Sequence, residues 1–344
     1  GRNGVRVRPP LPNRREPLWR KTELPFRLLL VRPRPEQDED GRPISYIDHR
    51  VSARPLVEAM ERLGDLARLT VLEPPTYAAL EQALAEGDEG EPFDVVHFDG
   101  HGVYDRRLGL GGLCFENPSD SDRWEDRRLD FVDAGNLAGL VRDHRIPWVF
   151  LEACQTALTE IDPTASVAAK LLQEGVTSVV AMSHSVLVET ARRFVQRFYA
   201  ELTRGARVGA AMLAGQQTLF ADPARGKILG AGELQLQDWL VPVRYQEQQD
   251  PQRITKSPAR EAQRLQDTER ALSLGSLPAP PEYYFHGRSR ELLGMERLLH
   301  LEPWVVVRGT GGQGKTTLAT ELARWVVRTH RFGRAAFVRR DHHP

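Results

Sequence analysis

The stretch FDVVHFDGHGVYD, residues 93–105, decides how this chain reads. Its first half is an apolar run of the kind that a strand buried on both faces of a parallel sheet requires. Its second half carries His97, Asp99 and His101 to the end of that strand, with Gly100 and Gly102 flanking the last histidine. Two readings compete. One is a strand leaving the core through a polar turn. The other is a catalytic histidine at the mouth of a sheet, because active sites in open parallel sheets lie outside the carboxyl ends of the strands.

Outward from this stretch, strand and helix patterns alternate. FRLLLVRP (26–33), ARLTVLEP (67–74), PWVFLEAC (147–154), VTSVVAMS (176–183) and WLVPVRY (239–245) read as strands. SARPLVEAMERLG (52–64) puts Leu56, Met60 and Leu63 on one helical face. TYAALEQALAEG (76–87) is a helix with Thr76 as N-cap and Gly87 just past its end. Helices are also expected over 133–145, 164–175, 188–205 and 207–220, and a short hairpin arm over GLGGLCFEN, 109–117. Such alternation predicts an α/β/α sandwich around a mainly parallel sheet.

At the flanks the composition changes. Residues 1–24 are rich in Arg and Pro without an apolar period and read as a linker or tail. From 246 to 282 the chain turns polar and then Pro-rich, as a second linker would, and a new unit begins at Tyr283. The chain lacks an initiator Met and stops at RRDHHP, which reads as a piece of something longer.

The 344 residues carry 47 basic and 47 acidic side chains, so no net field steers the chain to nucleic acid or an anionic membrane. No apolar run is long enough to span a bilayer. With only two cysteines, Cys114 and Cys154, a disulfide framework is excluded and a cytoplasmic location is expected.

Cys154 supplies what His101 lacks. It closes a second apolar strand, and if the two strands are neighbours a thiol and an imidazole meet at one sheet edge. A free thiol, with a pKa of ~8.5, is mostly protonated at neutral pH; an adjacent imidazole removes its proton and later protonates the leaving amine. The NH groups of Gly102 and Cys154 are candidates for an oxyanion hole. The ordinary readings are a small buried hydrophobe for Cys154 and an exposed turn residue for His101. His97 reads as structural, Asp99 as a group orienting His101 or fixing the turn, and Cys114 as a packed strand thiol.

HFDGHG (97–102) followed by VFLEACQTA (149–157), AAKLLQEGVTSVVAMSHSV (168–186) and GARVGAAMLAGQQTL (205–219) resembles the CHAT domain of the caspase, separase and gingipain clan of cysteine peptidases, over residues 25–245. The resemblance implies a caspase-like fold, His101 as base, Cys154 as nucleophile and a protein or peptide substrate. It also puts Glu152, two residues before the cysteine, beside the S1 pocket, where an acid favours a basic P1 residue.

A second motif stands apart. VVVRGTGGQGKTTLATELARWV (305–326) holds G-x-x-x-x-G-K-T from Gly309 through Thr316, with Gly311, Gly312, Gly314, Lys315 and Thr317 in the same loop. Successive NH groups of such a loop form a nest for phosphate, the lysine reaches the β- and γ-phosphates, and the Thr316 hydroxyl holds Mg²⁺. With FHGRSRELLGMERLL (285–299) upstream, residues 283–344 resemble the start of a STAND or NB-ARC-like P-loop ATPase. That resemblance implies ATP or ADP with Mg²⁺ as cofactor, Arg288 or its neighbours near the nucleotide, and a homo-oligomer on activation. RAAFVRR (334–340) is expected as the next strand, and no hydrolysis is expected from this portion alone. The joint expectation is a regulated cysteine endopeptidase, of bacterial defence or death-type signalling. A non-catalytic caspase-fold scaffold on an ATP-dependent oligomerisation module is the alternative.

Overall fold

The computed structural model describes residues 6–7, 22–105, 110–155, 163–182, 187–228, 232–246, 274, 276–281, 285 and 287–338. The strands are β1 (Arg6–Val7), β2 (Phe26–Val31), β3 (Ala67–Val71), β4 (Val95–Asp105), β5 (Leu110–Glu116), β6 (Leu129–Asp133), β7 (Trp148–Gln155), β8 (Ser178–Met182), β9 (Ala224–Ile228), β10 (Gly232–Gln235) and β11 (Pro242–Gln246). Helices α1 (His49–Leu63), α2 (Tyr77–Glu89), α3 (Ala134–Asp143), α4 (Pro163–Gln173), α5 (Val188–Thr203) and α6 (Val208–Ala221) belong to the same body. Helices α7 (Ser289–Leu301) and α8 (Lys315–Arg328) follow the second linker.

The central sheet runs β1-β11-β8-β7-β4-β2-β3. Its neighbours are parallel except β11, which is antiparallel to β8. Side chains alternate across each strand with period two. Phe26, Leu28 and Leu30, Val95, and Trp148 and Phe150 therefore pack on one face beneath α1, α5 and α6. Leu29 and Val31, Val96 and Phe98, and Val149 and Leu151 pack on the other beneath α2, α3 and α4. This double burial is the reason the strands read as unbroken apolar runs.

Local signals set the helix ends. Asp48 caps α1 by accepting from the amides of Arg50 and Val51, and Thr76 caps α2 by accepting from Ala79, each satisfying donors that the first turn leaves unpaired. Gly87, expected just past α2, lies inside it, and Gly90 ends the helix instead. A Cβ at Gly87 would stand 3.3 Å from the Phe93 ring, so close packing rather than capping explains this glycine.

Three features differ from the sequence expectation. Arg6 and Val7, within the expected tail, pair in parallel with Arg244 and Tyr245 of β11. β4 does not stop at His101 but runs on to Asp105 and folds back through β5 and β6. VVVR (305–308), the apolar run ahead of the glycine loop, and the described part (334–338) of the strand expected over 334–340 form no ladder, because among the described residues they have no neighbouring strand to pair with. Val305 and Val307 pack on the small core of α7 and α8 while Trp304 and Val306 are exposed, so the alternation of a strand survives without its pairing. Most of the expected linker at 246–282 lies outside the described residues.

Candidate active site

The parity that places Val95 and Phe150 on the α1 and α5 face also places His97, Asp99 and His101 of β4 and Glu152 of β7 there. The register completes the arrangement: His97 pairs with Phe150, Asp99 with Glu152, His101 with Cys154 and Gly102 with Gln155. His101 sits where β4 changes partners. The last β2 pair is Val31 with Phe98, and antiparallel pairing with β5 begins at Gly102 with Leu113. β2 departs because the chain turns away at Pro33, and Gly100 allows it: a Cβ there would fall 2.9 Å from the Phe98 ring and 3.2 Å from Pro33.

The His101 imidazole is 2 % exposed. Its Nε2 lies 2.7 Å from the backbone carbonyl oxygen of Ser45. A carbonyl only accepts, so Nε2 carries the proton and Nδ1 carries the lone pair. Nδ1 is buried and has no hydrogen-bond partner among the described residues. Burial pushes the pKa of His101 down to about 4, with Arg34 adding to the effect against the Ser45 carbonyl and Asp99. At neutral pH the ring is therefore an uncharged base.

Ser45 reaches this position because residues 36–44 are pinned. The amides of Glu36 and Gln37 donate to the Arg127 carbonyl, and the Leu129 amide donates to the Gln37 carbonyl. Nothing in the local sequence announces Ser45, which acts through its backbone.

Asp99 lies one pleat inside His101, and its carboxylate is engaged elsewhere. Arg34 Nη2 donates to Oδ2 at 2.7 Å, the Ser52 hydroxyl donates to the same oxygen at 2.7 Å, and Arg34 Nη1 donates to the Asp99 carbonyl at 2.6 Å. Asp99 thus fixes the strand end while Ser45 supplies the bond that orients His101; the expectation of Asp99 as an orienting group for the ring gives way to this arrangement. Arg34, buried and not singled out by the sequence, is the cation that makes a carboxylate tenable here.

His97 is buried and stacks on Phe150 with ring centroids 4.4 Å apart. The hydroxyl of Tyr199, whose pKa burial drives far up, lies 3.2 Å from His97 Nδ1. With that hydroxyl donating, Nε2 carries the proton and points to Glu152 Oε2 at 3.5 Å. Glu152 keeps a 13 % exposed side chain, and burial raises its pKa. Its hydrogen-bond partner is the His97 imidazole, where Asp99 has the Arg34 guanidinium.

Cys114 is 1 % exposed and packs in β5, where burial pushes its thiol pKa up to about 12. Among the described residues no cluster of His, Cys, Asp and Glu has the makings of a metal site, and no helix is long and apolar enough to cross a membrane.

At the second motif, Gly309, Gly312 and Gly314 all have positive φ, with Gly311 between them, and Gly314 leads directly into α8. Left-handed backbone at these positions turns the loop around its own amides. Lys315 Nζ donates to the Thr310 carbonyl at 2.6 Å, and Arg288 donates to the Gln313 carbonyl at 3.0 Å. Thr316 and Thr317 open the helix.

A mainly parallel α/β sandwich that sets a histidine opposite a cysteine on neighbouring strands defines the class: a caspase-like fold. The CHAT domain family matches residues 9–263, and the chain belongs to that family, which lies in the caspase-like clan of cysteine peptidases. Among solved structures the chain is similar to caspase-1 from Spodoptera frugiperda, with 12% identity, 70% of this chain and 90% of that one covered, and a TM-score of 0.34. The Drosophila initiator caspase Dronc gives 10% identity, coverage of 70% and 94%, and a TM-score of 0.34. Protein GSU0716 from Geobacter sulfurreducens gives 11% identity, coverage of 68% and 96%, and a TM-score of 0.36. These likenesses are distant, and the assignment rests on the family match. No curated protein matches the chain.

Proposed function

We propose that this chain is a cysteine endopeptidase in which Cys154 is the nucleophile and His101 the base. The observation that carries the proposal is the pairing of His101 with Cys154 on neighbouring parallel strands, together with the Ser45 bond that leaves Nδ1 as the basic nitrogen. His101 Nδ1 takes the thiol proton as sulfur attacks the scissile carbonyl, and the imidazolium is held by the Ser45 carbonyl. The amides of Gly102 and Cys154 meet the oxyanion. Collapse of the tetrahedral adduct breaks the C–N bond, and Nδ1 gives its proton to the departing amine. Water, deprotonated by the same nitrogen, then hydrolyses the thioester; the acid product leaves and the thiol regains its proton.

The preferred P1 residue is basic. Asp99 is neutralised by Arg34, whereas Glu152, its register partner, faces the same side with an imidazole as its partner. A lysine or arginine at P1 supplies the countercharge.

The glycine loop ahead of α8 is proposed to bind the phosphates of ATP or ADP, with Gly309, Gly311, Gly312, Gly314, Lys315 and Thr317 around the phosphates and Thr316 on Mg²⁺. The positive-φ glycines and the following helix N-terminus support this. In the working protein this module restrains the peptidase and gathers copies into a homo-oligomer, in the cytoplasm, as part of bacterial defence or death-type signalling. Cleavage of a P1-varied peptide library by the wild type, compared with Cys154→Ala, tests the central reading. Loss of cleavage in the variant supports it; equal cleavage removes it and leaves the scaffold alternative.

A further inference from the structure

Helix α7 lies beyond the residues of the family match, yet it sends two consecutive charged side chains into the body that carries the candidate site. Glu296 is 2 % exposed and Arg297 3 %. An apolar pair would fill the same space with less desolvation cost. What the ions add is directed bonds, and both sets lead to the end of β4.

From Glu296 the path is short. Its Oε2 accepts from Arg32 Nη2 at 2.5 Å, and its Oε1 lies 2.6 Å from His49 Nε2. Although burial pushes the other way, Arg32 and His49 draw the Glu296 pKa down to about 2, so this carboxylate accepts both bonds. With Nε2 donating, His49 Nδ1 accepts from the Tyr46 hydroxyl at 3.2 Å. The Tyr46 ring lies under the Arg290 guanidinium of the same helix, 4.7 Å from its centre. Tyr46 adjoins Ser45, whose carbonyl holds His101 Nε2.

The path from Arg297 is shorter still. Its Nη2 donates to the Arg34 carbonyl at 2.8 Å and to Glu116 Oε1 at 2.9 Å. Glu116 also accepts from the Arg34 amide at 3.0 Å. Arg34 in turn clamps Asp99.

We infer that Glu296 and Arg297 are positioning residues of the peptidase site: docked α7 holds the Ser45–Tyr46 segment against His101 and the Arg34 backbone against Asp99. The inference rests on the peptidase reading for its consequence but not for its geometry. It assigns α7 a second task, because Arg288 at its start bonds the Gln313 carbonyl of the glycine loop. The helix that supports His101 is thus joined to the loop proposed to take phosphate.

The test uses the full chain, with Tyr46→Phe and Glu296→Gln singly and together. Tyr46→Phe keeps the ring under Arg290 and removes only the hydroxyl, so it remains informative if Glu296→Gln fails to fold. Two readouts are taken: steady-state peptide cleavage, and ¹H–¹⁵N spectra of the histidine ring nitrogens. In the wild type the His101 Nε2–H, bonded to the Ser45 carbonyl, is expected to give a protected proton signal. Tyr46→Phe is expected to shift or broaden it and to lower kcat about tenfold with KM within about twofold, as for a group acting in the transition state. The double variant is expected to lose no more than the worse single, because both changes cut one path. An unchanged Nε2–H signal and kcat in folded Tyr46→Phe, or fully additive losses, would overturn the inference. Where the wild type cleaves nothing, as a restrained peptidase would, the ring-nitrogen spectra decide the inference alone.

Discussion

His101 and Cys154 are register partners: counted along β4 and β7, each stands opposite the other at the carboxyl end of the sheet. The pairing is fixed from below, by Val95 with Trp148 and His97 with Phe150, residues buried on the same face. A slip of one residue would turn one of the two strands' core set toward the wrong helices. The alignment of the His101 and Cys154 positions is therefore enforced by the hydrophobic core.

The ionisation of His101 gives a pH prediction. Its pKa in the fold is about 4, below the value of about 6.5 for a free imidazole. As pH falls through the interval between the two, the unfolded chain takes up a proton that the folded chain refuses. Stability present above about pH 6.5 is then lost progressively, in full below about pH 4, by an amount on the order of a few kcal/mol. Urea denaturation of wild type and His101→Gln at pH 7.5 and 5, between which His101 contributes a contrast of about 2 kcal/mol, should show the smaller pH dependence in the variant.

Removing Arg34 strands a buried carboxylate. Arg34→Met should destabilise the fold by about 3–5 kcal/mol, and adding Asp99→Leu should recover part of the loss. Denaturant midpoints of the two variants measure this. A single variant as stable as wild type would show that the Arg34–Asp99 pair has no structural role.

The proposed basic P1 preference rests on Glu152. Glu152→Gln should lower kcat/KM for a P1 arginine or lysine by about ten- to a hundredfold, the loss of a charged hydrogen bond, with little change for an uncharged P1. Equal effects on both substrate types would contradict a P1 role for this carboxylate.

The glycine loop makes its own prediction. Calorimetric titration with Mg·ADP should show binding to the wild type, weakened at least about tenfold by Lys315→Ala, which removes the cation proposed to meet the phosphates. Identical binding by both proteins would place the nucleotide elsewhere.

The sheet and most helices were legible because strands buried on both faces leave long apolar runs, as in FRLLLV and WVFLEAC, and because Asp48 and Thr76 carry caps in their side chains. Cys154 is legible as a strand-end residue, whereas His101 lies inside β4 where it passes from β2 to β5, and the register of the two follows only from the fold. Ser45 was not legible: it acts through a carbonyl, and its position depends on backbone bonds to Arg127 and Leu129, far along the chain. Arg34 looked like one of many charged loop residues, because its partner Asp99 becomes its neighbour only when β2 and β4 pair. The apolar run at 305–308 and the strand expected over 334–340 show the converse in their described residues, since an apolar alternation becomes a strand only where a neighbour accepts its hydrogen bonds.

The most direct measurement is covalent labelling with a peptidyl chloromethyl ketone bearing P1 arginine, followed by intact-mass and peptide mapping of the wild type, His101→Ala and Cys154→Ala. The account predicts one adduct, on Cys154, formed at least about a hundredfold more slowly in His101→Ala and absent in Cys154→Ala. Cys114, buried with a pKa of about 12, stays unmodified. Labelling of Cys154 at the same rate with and without His101, or no labelling of Cys154 in the wild type, would contradict the proposed pairing of base and nucleophile.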